Sequence, residues 1–301
     1  MDNAALSRKL VAEFLGTALL LALLVAQPIS AMALDAGDVR FPSFDSDRTP
    51  IRGDLFKPAG AGPFAAVVMM HGCSGLYRKS GRMHINSAAW VERFVSWGYA
   101  VLAVDGFNPR GFRTMCAKSK RPLHSLDDRP FDAYGGLAWL SAQPFIRPGQ
   151  IALVGWSNGA MATLSGLRKD EVKHFGGDFR FRAAAAFYPG CITLSKRIDG
   201  EYRPYAPLLV LVGLAGDWTF PKPCIALMEG AKSAGFPVEI AAYEGAYHAF
   251  DHPNLKIRTR VAKNRRWKTR KERDVHIGSN PAARDASIRR LQGWLKRHIG
   301  G

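Results

Sequence analysis

Short, almost wholly apolar runs alternate with stretches of helical periodicity along most of this chain, and that alternation leaves few folds open. Residues 64–70, 99–104, 151–154, 183–187 and 207–212 carry hardly any polar side chain, as strands must when both faces of their sheet are covered. Between them, 87–97, 130–140 and 223–234 space their apolar residues for one face of a helix. A last strand is read at 238–243 and a closing amphipathic helix at 283–297. Residues 39–42 and 51–56 read as two opening strands forming an antiparallel edge, with a turn around 47–50. The alternation predicts an α/β fold with a mostly parallel sheet, helices on both faces and right-handed crossovers.

One junction in this pattern carries chemistry. The apolar run 151–154 leads into Gly155-Trp156-Ser157-Asn158-Gly159 and then into a helical stretch, so a G-x-S-x-G sits between strand and helix. In that setting the serine occupies a sharp elbow that lifts its hydroxyl above the sheet edge, and the glycines are required because strand and helix approach too closely for side chains. Ser157 is the candidate nucleophile. A serine hydroxyl needs a base, and the base needs an acid to hold its tautomer. The chain order expected is Ser, then Asp/Glu, then His, each on a loop after a strand. His248 follows the last strand directly and is the candidate base, with His252 in reserve, whereas His174, His276 and His298 fall outside the order. Asp217, in Gly216-Asp217-Trp218 after the strand 207–212, is the candidate acid. The oxyanion of an acyl transfer needs backbone N–H donors already in place. Asn158, just after the nucleophile, and Cys73, in the corner His71-Gly72-Cys73-Ser74-Gly75, are the candidates.

The remaining features concern setting. Arg8 and Lys9 precede an apolar run at 10–26, and Ala31-Met32-Ala33 offers a cleavage site. Residues 1–33 therefore read as a signal peptide for export to the periplasm or beyond, with a membrane anchor as the alternative. Residues 34–301 read as one domain, since no linker or internal repeat divides them. In an oxidising compartment Cys73, Cys116, Cys191 and Cys224 are expected to pair. Of the three connectivities, Cys73–Cys116 and Cys191–Cys224 join loops expected at the same sheet edge. The cysteine spacing offers no zinc motif, so no metal is expected. Residues 256–273 hold ten Lys/Arg against Glu272 alone, a net +9 of the chain's formal +17. Such a basic insertion reads either as a grip on an anionic envelope surface or as a solvated, mobile segment; no specific nucleic-acid partner is expected, and oligomeric state is not legible.

Taken together, His71-Gly72-Cys73-Ser74-Gly75, Asp105-Gly106-Phe107 with Arg110, Gly155-Trp156-Ser157-Asn158-Gly159, Gly216-Asp217 and Gly245-Ala246-Tyr247-His248-Ala249-Phe250 resemble the dienelactone hydrolase family. The resemblance runs from about Ile51 to the final helix. It implies the α/β-hydrolase fold and a cofactor-free hydrolase acting on a small-molecule ester or lactone. Two departures stand out. The family's founding enzymes have cysteine at the elbow, where this chain has Ser157. They also hold a substrate carboxylate with two arginines: Arg110 lies near the first, but Asp251 and His252 occupy the stretch where the second would be. The expectation is a carboxylesterase with Arg110 and Trp218 as candidate substrate contacts, Arg110 being alternatively a structural ion-pair partner. Rival readings are a peptidase or acyltransferase on the same triad, and a non-catalytic protein that binds anionic polymer through the basic insertion.

Overall fold

A computed structural model describes residues 35–116, 122–262 and 273–300. The expected leader and its cleavage site lie outside the described residues. The main sheet has eight strands: β1 (Asp35–Pro42), β2 (Pro50–Lys57), β3 (Phe64–Met70), β4 (Ala100–Asp105), β5 (Ile146–Trp156), β6 (Ala183–Phe187), β7 (Leu208–Gly213) and β8 (Val238–Tyr243), in the order β1-β2-β4-β3-β5-β6-β7-β8. The first two run antiparallel to their neighbours and form the expected edge. All other pairings are parallel.

The helices of eight or more residues are α1 (Ile85–Ser96), α2 (Arg129–Ser141), α3 (Asn158–Gly166), α6 (Pro221–Ser233) and α7 (Pro281–Ile299). Two shorter helices, α4 (Val172–Gly176) and α5 (Ile192–Arg197), are too brief to leave a period in the sequence. In β3, Ala66, Val68 and Met70 join one core with α2, α3 and α6, through Leu137, Leu164 and Leu227 among others. Ala65, Val67 and Met69 are equally buried on the opposite face, the side on which Trp90 of α1 packs against Trp156 and Phe187. Burial on both sides is why these strands are uniformly apolar.

The flanks of the basic insertion are paired strands: β9 (Arg258–Ala262), whose residues 258–261 are exposed, and β10 (Arg273–Ile277) form an antiparallel ribbon, and 263–272 between them lie outside the described residues. The ribbon's root is stitched to the loop after β8. The N–H groups of Gly278, Ser279 and Asn280 donate to the carbonyls of His248, Leu255 and Phe250 at 3.0, 2.8 and 3.0 Å.

Candidate active site

The carboxyl end of β5 sets the site. Ser157 has φ 51° and ψ −107°, a left-handed conformation that costs a non-glycine residue about 1–3 kcal/mol. The flanking glycines make the bend possible. A Cβ on Gly159 would stand 2.1 Å from the Met70 carbonyl oxygen, and one on Gly155 would stand 2.4 Å from the Gly159 carbonyl oxygen. Larger residues would separate α3 from β3 and β5 and lower the serine into the sheet.

His248 arrives from the loop after β8, and its Nε2 lies 3.0 Å from the Ser157 hydroxyl oxygen. The imidazole contacts two rings, Tyr188, tilted with ring centroids 4.5 Å apart, and Trp218, stacked at 5.3 Å. Trp218 is thus beside His248. Burial holds His248 far below the ordinary imidazole range, at about 3, against an upward pull from the charge of Asp217. The ring is therefore neutral at ordinary pH.

The third member of the expected constellation is the main correction. Asp217 does not hold His248. One of its oxygens accepts the backbone N–H of His276 at 2.8 Å and the other meets His276 Nδ1 at 2.7 Å, so β10 claims both. The partner of His248 Nδ1 is the Thr219 hydroxyl, at 3.0 Å. That hydroxyl donates its single proton to the Tyr188 carbonyl at 3.2 Å, so toward His248 it can only accept. Nδ1 then carries the imidazole proton, and the Nε2 lone pair faces Ser157, the tautomer a general base requires.

For Arg110, the geometry fits the ion-pair alternative. Its guanidinium forks onto Asp132 at 3.0 and 2.9 Å and also reaches Asp45 at 3.0 Å and the Gly106 carbonyl at 2.9 Å. These carboxylates fix it as a structural ion-pair partner, leaving no free fork for a substrate carboxylate.

The candidate oxyanion donors flank the serine. Asn158 is the first residue of α3, where N–H groups have no acceptor within the helix. Opposite it, the corner after β3 comes so close that a Cβ on Gly72 would be 3.6 Å from the Ser157 Cβ. Cys73, next in line, is tied outward by its disulfide to Cys116 and by Met115 N–H and the Thr114 hydroxyl donating to its carbonyl. The second disulfide joins Cys191 to Cys224, and no described cysteine is free. Two disulfides fit an oxidising compartment, and among the described residues no helix is long and apolar enough to cross a membrane.

Three further side chains escaped the sequence. Asp251, fully buried, receives Asn86 Nδ2, Trp90 Nε1 and Trp156 Nε1 on one oxygen at 3.0, 2.7 and 2.8 Å, and the Tyr188 hydroxyl on the other at 2.8 Å. It anchors the residue before the serine and the ring that backs His248. Its place three residues after His248 was the available signal. Arg129, equally buried, donates from Nη1 to the His71 carbonyl at 2.7 Å and to Asn158 Oδ1 at 2.8 Å. His276 was set aside by chain order, which says nothing about a ribbon folding back on the acid loop.

An eight-stranded, mostly parallel sheet with a serine elbow at the carboxyl end of a central strand defines an α/β-hydrolase. Within that fold, the model of the dienelactone hydrolase family matches residues 51–299, and the chain belongs to that family. Solved structures agree on the fold. A dienelactone hydrolase-like promiscuous phosphotriesterase from metagenomic libraries is 17% identical with a TM-score of 0.62, covering 88% of this chain and 99% of its own. A Pyrococcus furiosus esterase is 16% identical with a TM-score of 0.60, covering 91% and 97%. Thermogutta terrifontis esterase 2 is 17% identical with a TM-score of 0.56, covering 92% and 98%.

Proposed function

We propose that the chain is an exported serine hydrolase that cleaves neutral carboxylic esters or lactones. The observation that carries this reading is the 3.0 Å contact between the Ser157 hydroxyl and the unprotonated Nε2 of His248 at a strained elbow. Ser157 Oγ attacks the acyl carbon as its proton passes to Nε2. The carbonyl oxygen becomes an oxyanion facing the N–H groups of Asn158 and Cys73. Collapse breaks the bond to the leaving oxygen, which takes the proton from Nε2 and departs as the alcohol. Water then attacks the acyl-serine with His248 again as base, releasing the acid and restoring the hydroxyl. Thr219 holds the Nδ1 proton throughout, and Asp217 contributes its charge through space.

A neutral substrate follows from Arg110, whose fork is already filled by Asp132 and Asp45. Trp218 is proposed to form one wall for the substrate. Export rests on the leader's pattern together with the two disulfides. The test is a fluorophosphonate label with peptide mapping, alongside turnover of nitrophenyl acetate and butyrate. Labelling at Ser157 and loss of turnover in Ser157→Ala are expected; equal turnover by that variant would remove the mechanism.

A further inference from the structure

Burying a guanidinium is costly unless its donors and its charge are matched. Arg129 is completely buried, yet among the described residues its Nε and Nη2 make no hydrogen bond. Asp132, one turn further along the same helix and felt by Arg129 through its charge, is committed elsewhere, since Arg110 grips both of its oxygens. The Phe107 ring lies under the guanidinium at 4.9 Å, a cation–π contact that offsets only part of the cost. A purely structural arginine at this position would be expected to fork onto a carboxylate. Instead both protons of Nη1 go to two atoms: the carbonyl of His71 and the side-chain oxygen of Asn158.

Those two residues belong to the two segments that offer the oxyanion donors. His71 opens the corner whose next residue, Gly72, comes close to Ser157 and which holds the candidate donor Cys73, and Asn158 carries the other candidate N–H itself. The two segments are far apart in sequence, one following β3 and the other opening α3, and Arg129 enters from the start of α2. His71 adds rigidity on its own side, with Nδ1 bonded to the Gly72 carbonyl at 2.7 Å and its ring against Phe107 at 4.5 Å. Burial and the neighbouring Arg129 keep that imidazole well below its ordinary range, hence neutral. Arg129 is thus the one cation joined by hydrogen bonds to both halves of the candidate hole among the described residues.

We infer that Arg129 is a positioning residue for the oxyanion hole: it ties the Cys73 corner to Asn158 at a fixed spacing and lends positive charge to the side where the oxyanion forms. The inference rests on the serine-hydrolase reading and deepens it. Donors to an oxyanion act in the transition state rather than in the ground state, so their misplacement lowers kcat and leaves KM.

The test uses Arg129→Met and Arg129→Lys with nitrophenyl butyrate, circular dichroism and thermal melting as the check on folding, and an arylboronic acid that forms a tetrahedral adduct on the serine. Arg129→Met is expected to lose about 10- to 100-fold in kcat with KM changed less than about threefold, the scale set by misplacing an oxyanion donor. Boronate inhibition should weaken in step with kcat/KM, and Arg129→Lys, which restores the charge and one tie, should recover about threefold over Met while staying at least about threefold below wild type. Unchanged kcat in either folded variant, or a loss confined to KM, overturns the inference. Should the Met variant fail to fold, Arg129→Lys decides alone, and wild-type kcat with wild-type boronate affinity in it is the refuting result. A wild-type protein that neither turns over ester nor labels at Ser157 would instead sink the hydrolase reading itself, so the two failures are distinguishable.

Discussion

Replacing Thr219 is expected to damage the enzyme more than replacing Asp217, the reverse of what chain order suggests. In the structure the Nδ1 proton of His248 goes to the Thr219 hydroxyl at 3.0 Å, while both Asp217 oxygens are taken by His276. Thr219→Val keeps shape and removes the acceptor. A buried N–H left without a partner costs about 1–3 kcal/mol. The imidazole can escape that cost by moving its proton to Nε2, where it no longer serves as a base toward Ser157. At about 1.4 kcal/mol per tenfold, the loss in kcat/KM is about 5- to 150-fold, and Thr219→Ser should restore most of it. Asp217→Asn removes a charge whose side chain is 29% exposed and which already faces another imidazole. A partly exposed, shared charge acting through space is worth about 1 kcal/mol or less, a loss within about fivefold. The assay is kcat/KM for nitrophenyl acetate in the three variants, with Ser157→Ala as the blank. A loss near 10⁴-fold in Asp217→Asn, the scale seen when a triad carboxylate that does hold the histidine is removed, with Thr219→Val close to wild type, would refute this reasoning. It would mean that the carboxylate leaves His276 for Nδ1 during turnover.

Stability should fall on acidification below the ordinary imidazole range. His248 is held at about 3 by burial, and His71 lies well below its usual value for the same reason. Between about 3 and 6.5 the unfolded chain therefore binds more protons than the folded one, so stability rises with pH through that window and is lost as pH falls, by at most about 1.4 kcal/mol per unit per histidine. Urea midpoints from pH 7 to pH 4 measure this, and a midpoint that rises on acidification would contradict it. Asp251→Asn sets an amide N–H₂ among four donors, and a loss of about 2–4 kcal/mol is expected, lowering Tm by several degrees in a chain of this size; an unchanged Tm would remove the anchoring role. Arg110→Met should destabilise by leaving Asp132 buried without its cation, with KM for a neutral ester unchanged; a raised KM in a fully folded variant would return Arg110 to the substrate.

The frame of the fold was legible because burial on both faces writes itself into composition. Strands such as β3 and β6, with no polar residue, admit no other position in a layered sheet, and Ser157 was legible because close packing of α3 on β3 demands glycine at Gly155 and Gly159. His248 was found by its place after the last long strand. The partners of these groups were not legible, since a hydrogen bond depends on which of several polar side chains in a loop reaches an atom first. Asp217 and Thr219 are two residues apart in the same loop, and only the arrival of His276 on β10 decides between them. The ribbon that delivers His276 was hidden by its charge: a run dense in lysine and arginine reads as solvated whether or not its flanks pair. Arg129 was silent for another reason, because one basic residue at the head of a helix looks alike whether it faces water or the core.

The pattern of charges bears on where transition-state stabilisation comes from. In the proposed mechanism, attack by Ser157 would develop two charges, an imidazolium at His248 and an oxyanion between Asn158 and Cys73. In the usual arrangement a carboxylate meets the first of these. Here the two carboxylates closest in sequence to the machinery have other partners: Asp217 is bonded to His276, and Asp251 to two indoles, an amide and a phenol. A neutral hydroxyl stabilises an imidazolium less than a carboxylate does, consistent with a buried His248 that resists protonation. The opposite end of the charge separation is better supplied, with the amino end of α3 and the buried cation of Arg129 tied to both walls of the hole. On the proposed mechanism, stabilisation in this site is therefore weighted toward the oxyanion. Kinetic losses should then be steeper for changes on the Arg129 side than for removal of the Asp217 charge, which places the burden of specificity on how well an acyl oxygen fits between Cys73 and Asn158.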